Sequence, residues 1–137
     1  MLTLSEIEEE VNQLAQKIGA SQNILPTYGY SEQTARPHVE VGSVVYYYVI
    51  AERGQEYNRI AAFDLDELLQ KIFTDVTFEL SCKYELSHRI NNQDSRRIIF
   101  KHQVELLSKL SPKWAERESQ EHEQILKRNP FNDNLEN

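Results

Sequence analysis

The sequence predicts one α+β domain: an N-terminal helix, a small antiparallel β-meander of three to four strands, then three C-terminal helices packed on one sheet face. Three observations predict it. Apolar residues recur at helical spacing near both ends of the chain. The middle third carries short β-branched and aromatic runs punctuated by glycine, and no internal repeat or long linker divides them. The 137 residues suit a single domain with a real core, placed at 1–130 and followed by a frayed polar tail at 131–137.

Ser5 with Glu8 forms an S-x-x-E capping box. Ile7, Val11, Leu14, Ala15 and Ile18 then keep helical spacing until Gly19 stops the run. Glu6, Glu8, Glu9 and Glu10 lie in the first turns, where the helix dipole favours negative charge. A short strand follows near residues 24–28, then a loop, then a strand over 36–41. Gly42-Ser43 reads as a two-residue type II′ turn, setting Val41 opposite Val44, Val39 opposite Tyr46 and His38 opposite Tyr47. Val39, Val41, Val44, Tyr46, Tyr48 and Ile50 then share a face that reads as core. His38, Glu40, Val45, Tyr47 and Val49 share the other, which is only half suited to water. A second turn at Gly54-Gln55 returns the chain through "YNRIAAF" and places Ile60 and Ala62 with Val49 and Tyr47.

The remainder reads as helix. Asp64 and Glu67 form another capping box, opening a run without glycine or proline in which Leu65, Leu68, Leu69, Ile72, Val76, Leu80 and Tyr84 recur at helical spacing. "NNQD" breaks it, and a third helix spans about 95–110. Ser111-Pro112 supplies an N-cap and an N1 proline for a fourth helix anchored by Trp114, Ala115, Ile125 and Leu126.

Charge and cysteine content bound the function. The net charge of −7 is uneven: residues 1–79 carry 13 acids and 5 bases, residues 80–137 carry 9 acids and 10 bases. Such a chain is repelled by phosphate backbones and anionic membranes and attracted to basic partners. With Cys82 alone, no intrachain disulfide can form. No signal-peptide pattern opens the chain and no apolar run approaches the ~20 residues of a membrane span, so a cytoplasmic protein with no membrane partner is predicted.

Catalytic patterns are thin. His38 and Glu40 share a strand face at a spacing suited to two metal ligands, which motivates a runner-up reading as a small metal-dependent or hydrolytic enzyme with a third ligand from a distant segment. Glu85 and His88 form a single E-x-x-H without the second copy that a di-iron bundle needs. Cys82 has no local nucleophile signature, and no P-loop, G-x-G-x-x-G, G-x-S-x-G or H-E-x-x-H occurs. No cofactor and no metal is predicted. Arg89, Arg96, Arg97 and Lys101 form the best basic cluster, but Asp94 with Arg97 at i+3 offers internal pairing, so no nucleic-acid partner is predicted.

Protein-binding surface is what remains. Tyr28, Tyr30, Tyr47 and Tyr57 are interleaved with Glu32, Glu40, Glu52 and Glu56, and these residues together with His38 form the candidate partner-binding set. The half-apolar sheet face also admits self-association, leaving monomer or weak dimer open. The stretches "LPTYGYSEQTARPHVEV", "YYYVIAERGQE", "DLDELLQKIFTDVTFELSCKYELSHRI" and "QDSRRIIFKHQVELLSKLSPKWAER", in this order and spacing, resemble immunity protein family 63 of bacterial polymorphic toxin systems. The resemblance implies a cytoplasmic, non-enzymatic protein that binds and neutralises a cognate toxin domain. It carries over no catalytic or binding residues.

Overall fold

The computed structural model describes residues 1–134. In chain order the elements are α1 (Leu4–Ile18), a 3-10 turn (Gln22–Ile24), β1 (Thr27–Tyr28), β2 (His38–Val41), β3 (Tyr46–Glu52), β4 (Gln55–Ala62), α2 (Leu65–Ser87), α3 (Arg96–Ser108) and α4 (Pro112–Arg128). The α+β order of helix, sheet and three further helices is the predicted one. Two compact units divide the chain, Met1–Val76 and a second beginning at Thr77, with the boundary inside α2.

In the first unit, α1 is capped two residues earlier than expected. Thr3, not Ser5, is the N-cap: its hydroxyl accepts from Glu6 N–H at 3.2 Å while Glu6 accepts from Thr3 N–H at 2.9 Å. "TLSEIE" contains the capping pattern twice, and the earlier copy brings Leu4 into the helix, where its Cδ1 lies against Gly29. Gly19 closes the helix at φ 68°, as expected. Ile7, Val11 and Ala15 form its buried stripe.

The sheet order is β1-β2-β3-β4, and β1 pairs with β2 in parallel, so the sheet is mixed rather than wholly antiparallel. Three residues with positive φ, Gly29 (84°), Gln33 (58°) and Ala35 (67°), turn the intervening loop back on itself. A side chain at Gly29 would also meet Leu4 at 2.7 Å.

The β2–β3 turn is centred on Ser43-Val44 instead of Gly42-Ser43: Gly42 N–H donates to Val45 O at 2.8 Å and Val41 faces Tyr46. Val39 therefore faces Tyr48 and His38 faces Val49. The shift is two residues, so the two predicted faces survive it. Gly42 is required here by close approach and not by a positive φ, because a Cβ would stand 2.9 Å from Val45 O and 3.0 Å from the Tyr47 ring.

The β3–β4 hairpin departs further. Glu52 pairs with Gln55 and Ala51 with Glu56, and a bulge between Ile50 and Ala51 then puts Ile50 opposite Asn58, Val49 opposite Arg59, Tyr48 opposite Ile60 and Tyr46 opposite Ala62. Ile60 and Ala62 thus join the core face with Tyr46 and Tyr48, and not the face with Val49 and Tyr47. One inserted residue exchanges the faces of everything beyond it, and the apolar pair ends where it can be buried. Val39, Tyr46, Tyr48 and Ala62 are all buried on that face, with Leu68, Ile72, Phe73 and Val76 of α2 also in the unit's core. The phenol of Tyr46 accepts from Leu2 N–H at 2.8 Å, and that of Tyr48 donates to Asp75 at 2.8 Å. Two of the three consecutive tyrosines are therefore core residues with satisfied hydroxyls.

Asp64 accepts from Glu67 N–H at 2.8 Å, and Ser111 caps α4 ahead of Pro112, both as expected. In the second unit Leu106, Leu107, Trp114 and Ala115 are buried. His122 is buried too and had no assigned role: its Nε2 lies 3.0 Å from Gln103, which donates to Thr77, and its ring stacks on Phe100 at 3.9 Å. Asp94 binds the Arg96 guanidinium at 2.8 Å and the backbone N–H groups of Arg96 and Asn132. Arg97, expected on Asp94, pairs instead with Asp133 at 2.8 Å. Up to Asn134, whose N–H reaches Asn92 O at 2.7 Å, the polar tail keeps such bonds; residues 135–137 lie outside the described residues.

Two stability measurements follow from this packing. Gly42→Ala is expected to cost about 1–3 kcal/mol in denaturant unfolding, the range for forcing extra carbon into a filled site. Asp94→Ala is expected to cost about 2–3 kcal/mol, because the charge-assisted hydrogen bonds from Arg96 and Asn132 to this buried carboxylate are lost. Arg96 holds the Asp94 carboxyl well below the usual carboxylate range. A depressed pKa stabilises the fold above the unfolded value, so the gap from wild type should close as pH falls under about 4 and through the lowered native value.

Candidate functional site

The opposite sheet face carries His38 and Glu40 of β2, Tyr47 and Val49 of β3, and Arg59 of β4. Val49 and His38 are buried, whereas Glu40 and Tyr47 are half-buried and Arg59 is exposed. A chain of polar contacts crosses the strands. His38 Nε2 lies 2.8 Å from Glu40 Oε2. Arg59 Nη1 donates to Glu40 Oε1 at 2.9 Å, and Arg59 Nε donates to Glu56 Oε2 at 3.0 Å while its Nη2 also reaches Glu56. The same guanidinium stands 5.2 Å from the centroid of the Tyr47 ring, whose edge rests on Gly42.

Each carboxylate feels that guanidinium. Arg59 first, and His38 second, draw the Glu40 pKa below its ordinary value. Arg59 likewise lowers that of Glu56. An ionised carboxylate only accepts, so His38 carries its proton on Nε2, and its buried Nδ1 has no hydrogen-bond partner among the described residues.

Of the predicted set, the fold thus brings together His38, Glu40, Tyr47 and Glu56. Tyr57 is the bulged residue of β4, without an opposing partner and 63% exposed. Glu52 sits at the hairpin end, paired with Gln55 and bridged to Thr34. Tyr28, ending β1, forms a second group with Tyr30 and Glu32 on the loop after it. Arg36 organises it, binding Glu32 at 3.3 Å and the carbonyls of Leu25 and Gln22 at 2.8 Å each. Tyr28, Tyr30 and Arg36 line a cleft of about 300 Å³. The Tyr28 hydroxyl is buried without a partner among the described residues, and burial, with Glu8 adding, pushes its pKa up.

Arg59 is the residue that the sequence reading missed. A plain turn at Gly54-Gln55 points it to the core face; only the bulge turns it outward. The signal was present in the alternation of Ile60 and Ala62 with Arg59 and Ala61, since the apolar pair must face inward.

The other candidate chemistry is spent on internal contacts. His38 and Glu40 bind each other, and among the described residues no group of three His, Cys, Asp or Glu side chains is placed to hold a metal ion. Glu85 pairs with Arg89 at 2.8 Å, while His88 bonds to Tyr84 O. Burial raises the pKa of the Cys82 thiol, with Glu85 and Glu79 adding, the opposite of an activated nucleophile. Arg89, Arg96 and Arg97 each hold a carboxylate, so the basic cluster is largely neutralised. No helix among the described residues is long and apolar enough to cross a membrane.

Residues 42–124 match the family model described as Immunity protein 63, the family that the collinear stretches resemble. No curated protein and no solved structure matches the chain.

Because Arg59 is the first cause of the low Glu40 pKa, Arg59→Met should move it back toward the ordinary carboxylate range. Carboxyl-selective NMR titration of the two proteins reads the shift; an unmoved Glu40 would assign its environment to His38 instead.

Proposed function

Since the chain belongs to the immunity protein 63 family, which gives it an immunity function in general, we propose that it binds and neutralises a cognate bacterial toxin domain by stoichiometric protein–protein inhibition, without catalysis of its own. It does so in the cytoplasm of the producing cell. The contact surface is the outer sheet face together with the adjoining loop, comprising Tyr47, Tyr57, Tyr28, Tyr30, His38, Glu32, Glu40, Glu52 and Glu56, with Arg59 added.

One observation supports this reading above the rest. Tyr47 is packed between Gly42 and Arg59 while part of its surface stays open to solvent. A tyrosine fixed before binding offers contact area at little entropy cost, which is why tyrosine and arginine recur as interface anchors. Glu40 and Glu56, lying beside it, favour a partner with basic groups. The metal-enzyme alternative gains no such support, because the Glu40 carboxylate is engaged by His38 and Arg59 and no group of three His, Cys, Asp or Glu side chains among the described residues is placed to hold a metal ion.

Coexpression with the toxin encoded beside it provides the test. An equimolar complex with toxin activity abolished is the expected result, whereas full toxin activity in excess of this protein would refute neutralisation. Tyr47→Ala should weaken the complex about 10- to 30-fold, as loss of an anchor does, with circular dichroism and melting unchanged. Undiminished affinity would move the interface off this face.

A further inference from the structure

A cleft of about 430 Å³ opens within the second unit, between the end of α2, the turn after it and α3. Its wall is a stack of three rings. The Tyr84 phenol has the His88 imidazole on it at 3.8 Å and 13°, and the His102 imidazole at 3.8 Å and 4°. His88 Nδ1 lies 2.8 Å from Tyr84 O, a group that only accepts, so this nitrogen carries the proton and Nε2 faces no partner among the described residues. Among the described residues, the charged group near His102 Nδ1 is Glu105, at 3.9 Å. Ile90, at the rim, is 52% exposed.

The charge in the cleft is sorted. Arg97 is bound to Asp133 and, beyond the lining, Arg89 to Glu85. Glu105 is the one carboxylate in the lining. Lys101 is exposed and makes no ion pair among the described residues. One unpaired ammonium beside aromatic and aliphatic surface, with Glu105 in the same lining, is too little for a phosphate backbone, whose affinity needs several cations at once. It suits a carboxylate carried next to an aliphatic side chain.

We propose that this cleft docks an acidic, leucine-like segment of the protein partner, its carboxylate on Lys101 and the imidazoles in their charged form, its aliphatic side chain on Ile90 and the edge of Tyr84. The proposal rests on the protein-partner reading above and adds a second contact, of opposite charge preference to the sheet face. The groups facing the two imidazoles are Tyr84 from α2, Arg97, Lys101 and Glu105 from α3, and Lys109 just beyond it. Burial, with Lys109 and His88 adding, keeps His102 less basic than an ordinary imidazole, and Glu105 opposes them. A bound carboxylate reverses that balance by favouring the charged imidazoles, so binding takes up protons and tightens as the pH falls.

The probe is a blocked octapeptide of alternating aspartate and leucine, titrated into the full chain while NMR follows the imidazole protons. Saturable movement of the His88 and His102 signals is expected, with affinity rising about threefold or more between about pH 7.5 and about pH 6. Lys101→Glu, at an exposed unpaired position, should lower affinity about fivefold or more with the fold retained, and Tyr47→Ala should leave peptide binding unchanged. Unmoved imidazole signals, equal binding of a lysine–leucine octapeptide, or no tightening at lower pH would overturn the proposal. Tighter binding of a ten-nucleotide oligothymidylate would also overturn it, by making the cleft a nucleic-acid site. Peptide binding without a toxin complex would refute the neutralisation reading alone, and a toxin complex without peptide binding would refute the cleft alone.

Discussion

The single-residue offset between Ile50 and Ala51 decides what the sheet hides and what it shows. Side chains alternate along a strand, so an insertion of one reverses every residue beyond it. Here the reversal sends Ile60 and Ala62 to the core with Tyr46 and Tyr48 and turns Arg59 out beside Glu40. Without it a guanidinium would face the apolar core, at a desolvation cost of several kcal/mol. The burial requirement of β4 and the polar chain on the outer face are therefore one constraint.

That constraint shapes the electrostatics as well. Glu40 and Glu56 lean on the same guanidinium, so the strip around Tyr47 presents less negative charge than its glutamates suggest. Across roughly 8 Å, the Debye length at physiological ionic strength, a partner senses this reduced field. Specificity then comes more from the placement of the Tyr47 ring and its hydrogen-bonding neighbours than from bulk acidity.

Much of this was legible in the sequence where the signal was local. Periodicity located α1 and α2, Gly19 and Ser111-Pro112 marked helix ends, and the division of His38, Glu40 and Tyr47 from Val39, Tyr46 and Tyr48 held because the turn moved by an even number of residues. What was illegible depended on non-local geometry. The parallel pairing of β1 with β2 needs three left-handed residues in one loop, and Gln33 and Ala35 do not advertise that conformation. Asp94 chose Arg96 over Arg97 because Asp133, far along the chain, claims the latter. His122 carries no mark of burial on a thinly apolar helix; its partners Gln103, Glu118 and Phe100 explain it.

The distribution of chromophores across the two units has an optical consequence. Trp114, the sole tryptophan, is buried in the second unit, while every tyrosine except Tyr84 belongs to the first. Indole emission thus watches the helices beyond Thr77, and phenol absorbance is dominated by the sheet. Events in the two halves of this molecule carry different colours, with no label attached.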